Sequence, residues 1–189
     1  MELPDLGKII EKAEPVTSFK DAFRIEDLDR PLGNRVEQAE IQEVRILTPL
    51  QYARVKLETG WSDEIIKNIG SMEEYQIYKE AELVEREIGG KPCLVRKDLD
   101  LEQKDSFGRT NKERMEQGLA PLAPDGRPYE LHHIGQKPDS PLAELTMQEH
   151  RGKGNDTILH IKTKESEIDR EAFGNERSEH WQDRVKETE

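Results

Sequence analysis

The stretch that decides the fold is residues 130–135, ELHHIG, in which His132 and His133 are adjacent. All five histidines of the chain fall between residues 132 and 180. Imidazole is a common ligand of divalent transition metals, and it is the side chain most easily tuned to accept a proton near neutral pH. Successive side chains of a strand point to opposite faces, so adjacent histidines need different roles or a bent strand end. The pattern predicts a metal-dependent hydrolytic site.

Turn and strand signals on both sides of the pair predict its surroundings. A turn at residues 124–126 precedes a short strand over 127–131, so the two histidines lie where that strand ends. Turn-forming residues over 135–141 then lead into a second short strand over 142–146. The later histidines follow in a segment that we expect to be helical. The predicted order is therefore strand, loop, strand and helix.

The stretch from Phe107 to Trp181 resembles the LHH family of nucleases within the HNH and endonuclease VII superfamily. The matching strings are residues 107–111, 114–115, 118–121, 125–126, 130–136, 140–146 and 149–151, followed by 158–160 and 180–181. This superfamily shares a ββα-metal finger. The resemblance implies an α+β fold with a C-terminal HNH-like ββα-metal finger and supporting helices. It also implies a metal-dependent HNH-type endonuclease, which is a hydrolase of phosphodiester bonds.

The resemblance gives roles to four histidines. His132 corresponds to a metal ligand, and His133 corresponds to the general base that deprotonates the attacking water. His150 corresponds to the ligand on the helix, and His160 is the expected third ligand. His150 and His160 are ten residues apart, which in a straight helix would separate them by about 15 Å. Two intervening glycines can break the helix and fold His160 back, as a shared site requires.

The implied cofactor is one divalent metal ion. Zinc, nickel, manganese and magnesium remain open, because imidazole ligands suit transition metals whereas magnesium prefers oxygen donors. The group that orients His133 is open too. Many HNH enzymes carry an asparagine just before the second strand, where this chain has Ser140. Either a hydroxyl or a backbone carbonyl could hold the ring, and we do not expect Asn155 to be catalytic.

Other chemically active side chains have simpler interpretations. His180, next to Trp181 on an amphipathic terminal helix, is expected to be structural. Glu130 and Glu149 flank the histidines and either orient them or are merely solvated. The arginines near the site are expected on the solvated surface rather than on phosphates; they are Arg109, Arg114 and Arg151.

Composition limits the function without excluding a nuclease. The chain of 189 residues has a net charge of -12, which is unusual for a protein that must approach a polyanion. Residues 105–165, however, hold nine basic and ten acidic side chains. The segment with most of the histidines is therefore nearly neutral, and the acidic excess lies elsewhere. The single cysteine, Cys93, excludes an internal disulfide and a cysteine-based zinc site.

The local signals divide the chain into three parts. Residues 1–35 show scattered charge and no sustained period, which indicates a flexible arm or linker. Residues 36–104 predict a small α+β unit, and residues 105–189 the LHH/HNH-like nuclease domain. The middle unit is predicted to contain helices over 49–57, 63–69 and 71–83 and a β-hairpin of 83–88 with 92–96. Whether it packs on the nuclease core stays open.

The C-terminal segment predicts two helices that support the finger. Residues 166–169 have the form of a capping box, which favours a helix start there. Asn175 could cap a last helix from residue 176 to about 186. We expect these helices to bury apolar side chains against the finger, because a small metal finger buries little apolar area alone.

Partners and location follow mainly from the resemblance. The substrate is expected to be nucleic acid, with DNA favoured over RNA and little sequence preference. LHH modules resemble the toxic C-terminal modules of bacterial polymorphic toxins, which a cognate immunity protein neutralises in the producer. The sequence has no apolar run long enough to span a membrane and no secretory signal. We therefore expect delivery into a target cell cytoplasm by a non-Sec route, or a cytoplasmic protein if it is a phage or mobile-element nuclease.

Two functions of different classes fit these observations. The first is a metal-dependent endonuclease, as part of a toxin–immunity system or of a mobile element. The second is a non-catalytic, metal-stabilised binding module, in which the histidines hold a structural ion and the acidic flanks bind a basic protein partner. A cleavage assay with a panel of metal ions separates the two.

Overall fold

The computed structural model describes residues 46–162 and 168–187. In this part, seven helices and four strands make a mixed α+β fold. The helices are α1 Pro49–Thr59, α2 Asp63–Ile66, α3 Met72–Glu80, α4 Asn111–Glu116, α5 Met147–Arg151, α6 Asn155–Leu159 and α7 Arg170–Lys186. The strands are β1 Val84–Ile88, β2 Lys91–Val95, β3 Glu130–His133 and β4 Leu142–Leu145. The predicted arm over residues 1–35 lies outside the described residues.

One four-stranded sheet, in the order β1-β2-β4-β3, organises the fold. β1 and β2 form the predicted antiparallel hairpin across Gly89 and Gly90, both of which have positive φ. β3 and β4 pair antiparallel, and β2 pairs parallel with β4. The hairpin from the middle segment therefore joins the same sheet as the two strands of the finger. The sequence left open whether the middle segment packs on the C-terminal core, and this parallel pairing shows that it does.

Side chains on the two faces of the sheet belong to two separate hydrophobic clusters. Ala143 and Leu145 belong to the first cluster, whereas Leu142 belongs to the second. The first cluster contains the apolar residues that the sequence predicted as the core of the middle segment, namely Trp61, Ile65, Ile66, Ile69, Tyr75, Ile77 and Tyr78. The second contains Trp181 and Val185 of α7. The sheet is thus covered on both faces.

The helix predicted over residues 63–69 is shorter than expected. Ser62 caps it as predicted, but regular α-helix ends at Ile66. The amide groups of Asn68 and Ile69 donate to carbonyls three residues back rather than four, so the chain tightens into a turn. α3 also begins at its predicted cap, Ser71, and ends at Glu80 just ahead of the hairpin.

The prediction of a last helix capped by Asn175 is wrong. A single helix runs from Arg170 to Lys186, and Asn175 lies inside it. Its cap is Asp169, whose side chain accepts hydrogen bonds from the amides of Glu171 and Ala172. A helix that is anchored by buried residues in its second half tolerates the weak helix formers in its first half. The predicted capping box over 166–169 lies partly outside the described residues.

Trp181→Ala is expected to lower the free energy of unfolding by about 3–5 kcal/mol. Trp181 is only 2% exposed and packs in the second cluster, so truncation would leave a cavity beneath α7. Thermal or urea denaturation measures the loss. Phe107→Ala is the matched control, because this aromatic side chain is 83% exposed. A Trp181→Ala variant that unfolds like the parent would refute the packing role.

Candidate active site

Three imidazoles converge beside the edge strand β3. They belong to His132 in β3, His150 in α5 and His160 just after α6. Their ring centroids are separated by 4.9 to 5.1 Å. One nitrogen from each ring can be chosen so that all three atoms lie within 4.8 Å of one another. This arrangement allows the three rings to face a single ion.

The break predicted between His150 and His160 is present. α5 opens with a capping box between Thr146 and Glu149, which fixes the start of the helix that carries His150. The chain turns through residues 152–154, where Gly154 has a φ of 94° that favours glycine. Asn155 then donates from its side chain to the carbonyl of Glu149, 2.8 Å away. This bond ties the second helix to the first and brings His160 back. Asn155 therefore has a structural contact.

Carboxylate oxygens contact Nδ1 of two of the three rings, those of His150 and His160. Nδ1 of His150 donates to Oε2 of Glu130 over 2.7 Å, and the same oxygen accepts from Arg151 at 2.9 Å. Nδ1 of His160 lies 3.0 Å from a carboxylate oxygen of Asp156. Carboxylates accept only, so both rings keep the proton on Nδ1 and expose the lone pair of Nε2. The sequence had left Glu130 open between an orienting and a solvated role, and this contact orients the ring.

The rings at the centre of this cluster are held in the neutral form. Burial lowers the pKa of His132 well below its usual range, and the charges of His150 and His160 lower it further. Burial also lowers the pKa of His150, although the hydrogen bond to Glu130 opposes the shift. Nε2 of His132 is buried and has no hydrogen-bond partner among the described residues. Nε2 of His150 lies 3.2 Å from Nδ1 of His132, so Nδ1 is the nitrogen of His132 that faces the other rings. Neutral imidazoles whose nitrogens converge in this way fit a divalent transition-metal ion.

His133 lies on the opposite face of the sheet. Its strand neighbour is Leu142 of the second cluster, whereas His132 pairs with Ala143 of the first. Nε2 of His133 lies 2.9 Å from Oε2 of Glu176 in α7. The ring of Phe173 covers it, with centroids 4.5 Å apart. The adjacent histidines are thus divided between two faces.

Burial is the main influence on the pKa of His133 and lowers it, while the charge of Glu176 opposes that effect. Nδ1 of the ring is buried, and a backbone hydrogen bond with Pro138 raises the pKa of His133, as the charge of Glu176 does. Ser140 does not orient this ring, because its hydroxyl donates to the carbonyl of Lys137. The sequence did not single out Glu176. It lies 43 residues from His133, and no local sequence pattern predicts a contact at that separation.

The chain directly after His133 is fixed by a glycine. Gly135 has a φ of 76°, and a Cβ at this position would lie 2.6 Å from the carbonyl oxygen of Asn68. Any other residue would therefore collide with the backbone that follows α2. The end of β3, which carries both histidines, therefore packs against the middle segment.

Residues 110–187 match the model of a family described as LHH, a nuclease of the HNH/ENDO VII superfamily with conserved LHH. This part of the chain is similar to the LHH family. The LHH tripeptide of the chain is Leu131-His132-His133, and the matched region contains all the histidines described above. The expectation of an HNH-type fold in the C-terminal region is confirmed. No solved structure matches the chain.

The fifth histidine of the matched region, His180, has a structural position. Nε2 of His180 lies 3.0 Å from Oε1 of the buried Glu144, and Arg184 donates to the same oxygen. The second oxygen of Glu144 accepts from the backbone amide of Arg96 at 2.8 Å. This network fastens α7 to the sheet. The position agrees with the structural role that the sequence favoured for His180.

The three arginines that the sequence placed near the site make internal contacts. Arg109 and Arg114 both pair with Asp105, at 2.8 Å each. Arg151 pairs with Glu130 and remains largely exposed.

Within the two described segments, no helix combines the length and apolar character needed to cross a bilayer.

Proposed function

We propose that this chain is a metal-dependent endonuclease that hydrolyses phosphodiester bonds, with His132, His150 and His160 as metal ligands and His133 as the general base. The proposal is carried by one observation. Three imidazoles can share one ion, and the residue next to the first of them, His133, has its imidazole held separately by Glu176. The similarity of residues 110–187 to a nuclease family supports the same chemistry.

Each proposed role follows from the surroundings of the residue. His150 and His160 present Nε2 because Glu130 and Asp156 accept from their Nδ1 atoms. His133 would take a proton from the attacking water, because its ring is held neutral by burial and is not part of the cluster. A bound divalent cation supplies stabilisation of the charge that develops on the phosphate and on the leaving oxygen.

The three-imidazole ligand set favours a transition metal. Magnesium prefers oxygen donors and near-octahedral water coordination, whereas zinc, nickel and manganese accept imidazole nitrogen. The exposed side chain of the cluster is His160, at 30%. This leaves one side of the proposed site for water and substrate, as a catalytic rather than a closed structural ion requires.

The proposed substrate is DNA, cut with little sequence preference. The family resemblance suggests the setting, in which the chain is the toxic module of a bacterial toxin–immunity system and acts in the cytoplasm of a target cell. A cognate immunity protein would then be its protein partner.

A plasmid cleavage assay tests the proposal. Supercoiled plasmid is incubated with the protein and Mg²⁺, Mn²⁺, Ni²⁺ or Zn²⁺, with a chelator control and a parallel RNA substrate. We expect nicking with at least one transition metal, no nicking with chelator, and slower cleavage of RNA. Failure to nick DNA under every metal would contradict the proposal and favour the non-catalytic binding module.

A further inference from the structure

The segment that carries two of the converging histidines is locally basic. Residues 150–162 contain one acidic residue, Asp156, and three basic residues, namely Arg151, Lys153 and Lys162. This segment is therefore positive in a chain whose net charge is -12. Affinity for nucleic acid depends largely on basic side chains that neutralise phosphates. In an acidic protein, a local excess of positive charge beside the candidate site is where we expect a polyanion to bind.

Arg151 is anchored on the carboxylate that orients His150. Its Nε donates to Oε2 of Glu130 at 2.9 Å, and Nδ1 of His150 contacts the same oxygen at 2.7 Å. The Arg151 side chain is 63% exposed, and its two Nη groups make no hydrogen bond to the described residues. A guanidinium that is held through Nε alone keeps the planar pair of donors with which arginine binds a phosphate.

Lys162 has the same arrangement at His160. Its Nζ lies 2.6 Å from Oδ2 of Asp156, whose other oxygen lies 3.0 Å from Nδ1 of His160. The Lys162 side chain is 55% exposed, and His160 is the most exposed of the three converging histidines. A single carboxylate thus separates each of the two cations from a converging ring. Both cations have fixed positions next to the candidate metal ligands and still reach solvent.

We propose that Arg151 and Lys162 bind backbone phosphates of the nucleic acid and hold it at the three converging imidazoles. The inference rests on the proposed nuclease function and adds to it the groups that bind the substrate. Exposed ion pairs contribute little to stability, so a phosphate can share either cation with its carboxylate at little cost. Phosphates carry no sequence information, so contacts of this kind bind nucleic acid without sequence preference.

Binding of a short fluorescein-labelled DNA duplex to the full chain tests the inference. Fluorescence anisotropy is measured in chelator, where no cleavage is expected, from low to physiological salt and with two duplexes of unrelated sequence. The variants Arg151→Gln and Lys162→Gln each remove one charge from an exposed side chain. The matched controls are Arg54→Gln and Lys97→Gln, because these side chains are 63% and 54% exposed and each pairs with a glutamate. Calorimetric titration of Zn²⁺ and the plasmid assay are run on the same proteins.

Arg151→Gln and Lys162→Gln are each expected to weaken binding of both duplexes by about 3- to 10-fold. Each should also reduce the slope of log Kd against log salt concentration by about 0.9, because one phosphate contact is lost. Zinc affinity should not fall, since neither side chain is a proposed ligand. The two control variants should bind DNA like the parent.

An active parent whose two site variants keep the parental affinity and salt slope would overturn this inference alone. Site variants that lose zinc affinity but not DNA affinity would overturn it too, as would controls that weaken DNA binding equally. A parent that does not bind the duplex at low salt would also overturn it. A parent that binds DNA, with the expected losses in the variants, yet cleaves with no metal would contradict the proposed function and leave the phosphate contacts in place.

Discussion

His133→Ala is expected to abolish plasmid cleavage while the protein still binds its metal ion. Loss of a general base typically lowers the rate by about 10²- to 10⁴-fold. Metal affinity should persist because His133 lies on the opposite sheet face from the three converging rings, with Glu176 and Phe173 as its neighbours. The measurement is cleavage rate at saturating metal, paired with calorimetric titration of the same metal into the variant.

Thermal denaturation of His133→Ala provides the control for folding. The ring is 2% exposed, so its removal leaves a cavity and some loss of stability is expected. The assay is therefore run well below the melting temperature of the variant. A folded variant that still cleaves at the parental rate would exclude His133 as the base. A variant that loses the metal would make His133 a ligand.

His132→Ala is expected to remove metal binding and cleavage together. Its ring is 3% exposed and lies about 5 Å from both partner rings, between centroids. Loss of a group that only orients a ligand already costs about 10- to 100-fold in metal affinity. Loss of the ligand itself should cost more than about 100-fold. Isothermal titration of Zn²⁺ or Ni²⁺ gives the affinity, and the plasmid assay gives the rate.

A graded series sharpens the result for His132. Glu130→Gln removes the charge behind His150 but leaves all three rings, so we expect a smaller loss of metal affinity than in His132→Ala. Metal affinity should decrease in the order parent, Glu130→Gln, His132→Ala. Parental metal affinity in His132→Ala would show that the ion binds elsewhere, and the proposed ligand set would be wrong.

Features of the fold that depend on neighbouring residues could be predicted from the sequence. The hairpin across Gly89 and Gly90, the cap at Ser71 and the break between His150 and His160 follow from turn, capping and glycine preferences. The convergence of the histidines was predicted from the family resemblance, because it assigned three of them to one ion. Their roles as ligands and base stay predictions.

Features that depend on distant residues could not be predicted. Nothing in residues 91–95 indicates that β2 pairs with β4, because parallel pairing is decided by burial of the whole sheet. Asn175 resembled a helix cap locally, yet the buried second half of α7 carries the helix through it. Glu176 was missed for the same reason, as its contact with His133 exists only once α7 has docked.

X-ray absorption spectroscopy of the zinc-loaded protein tests the central claim most directly, because it counts the imidazole ligands around the ion. We expect one zinc per chain with three imidazole nitrogens at about 2.0–2.1 Å, and two in His160→Ala. A spectrum of the parent with one imidazole or none would contradict the claim that His132, His150 and His160 together hold the metal.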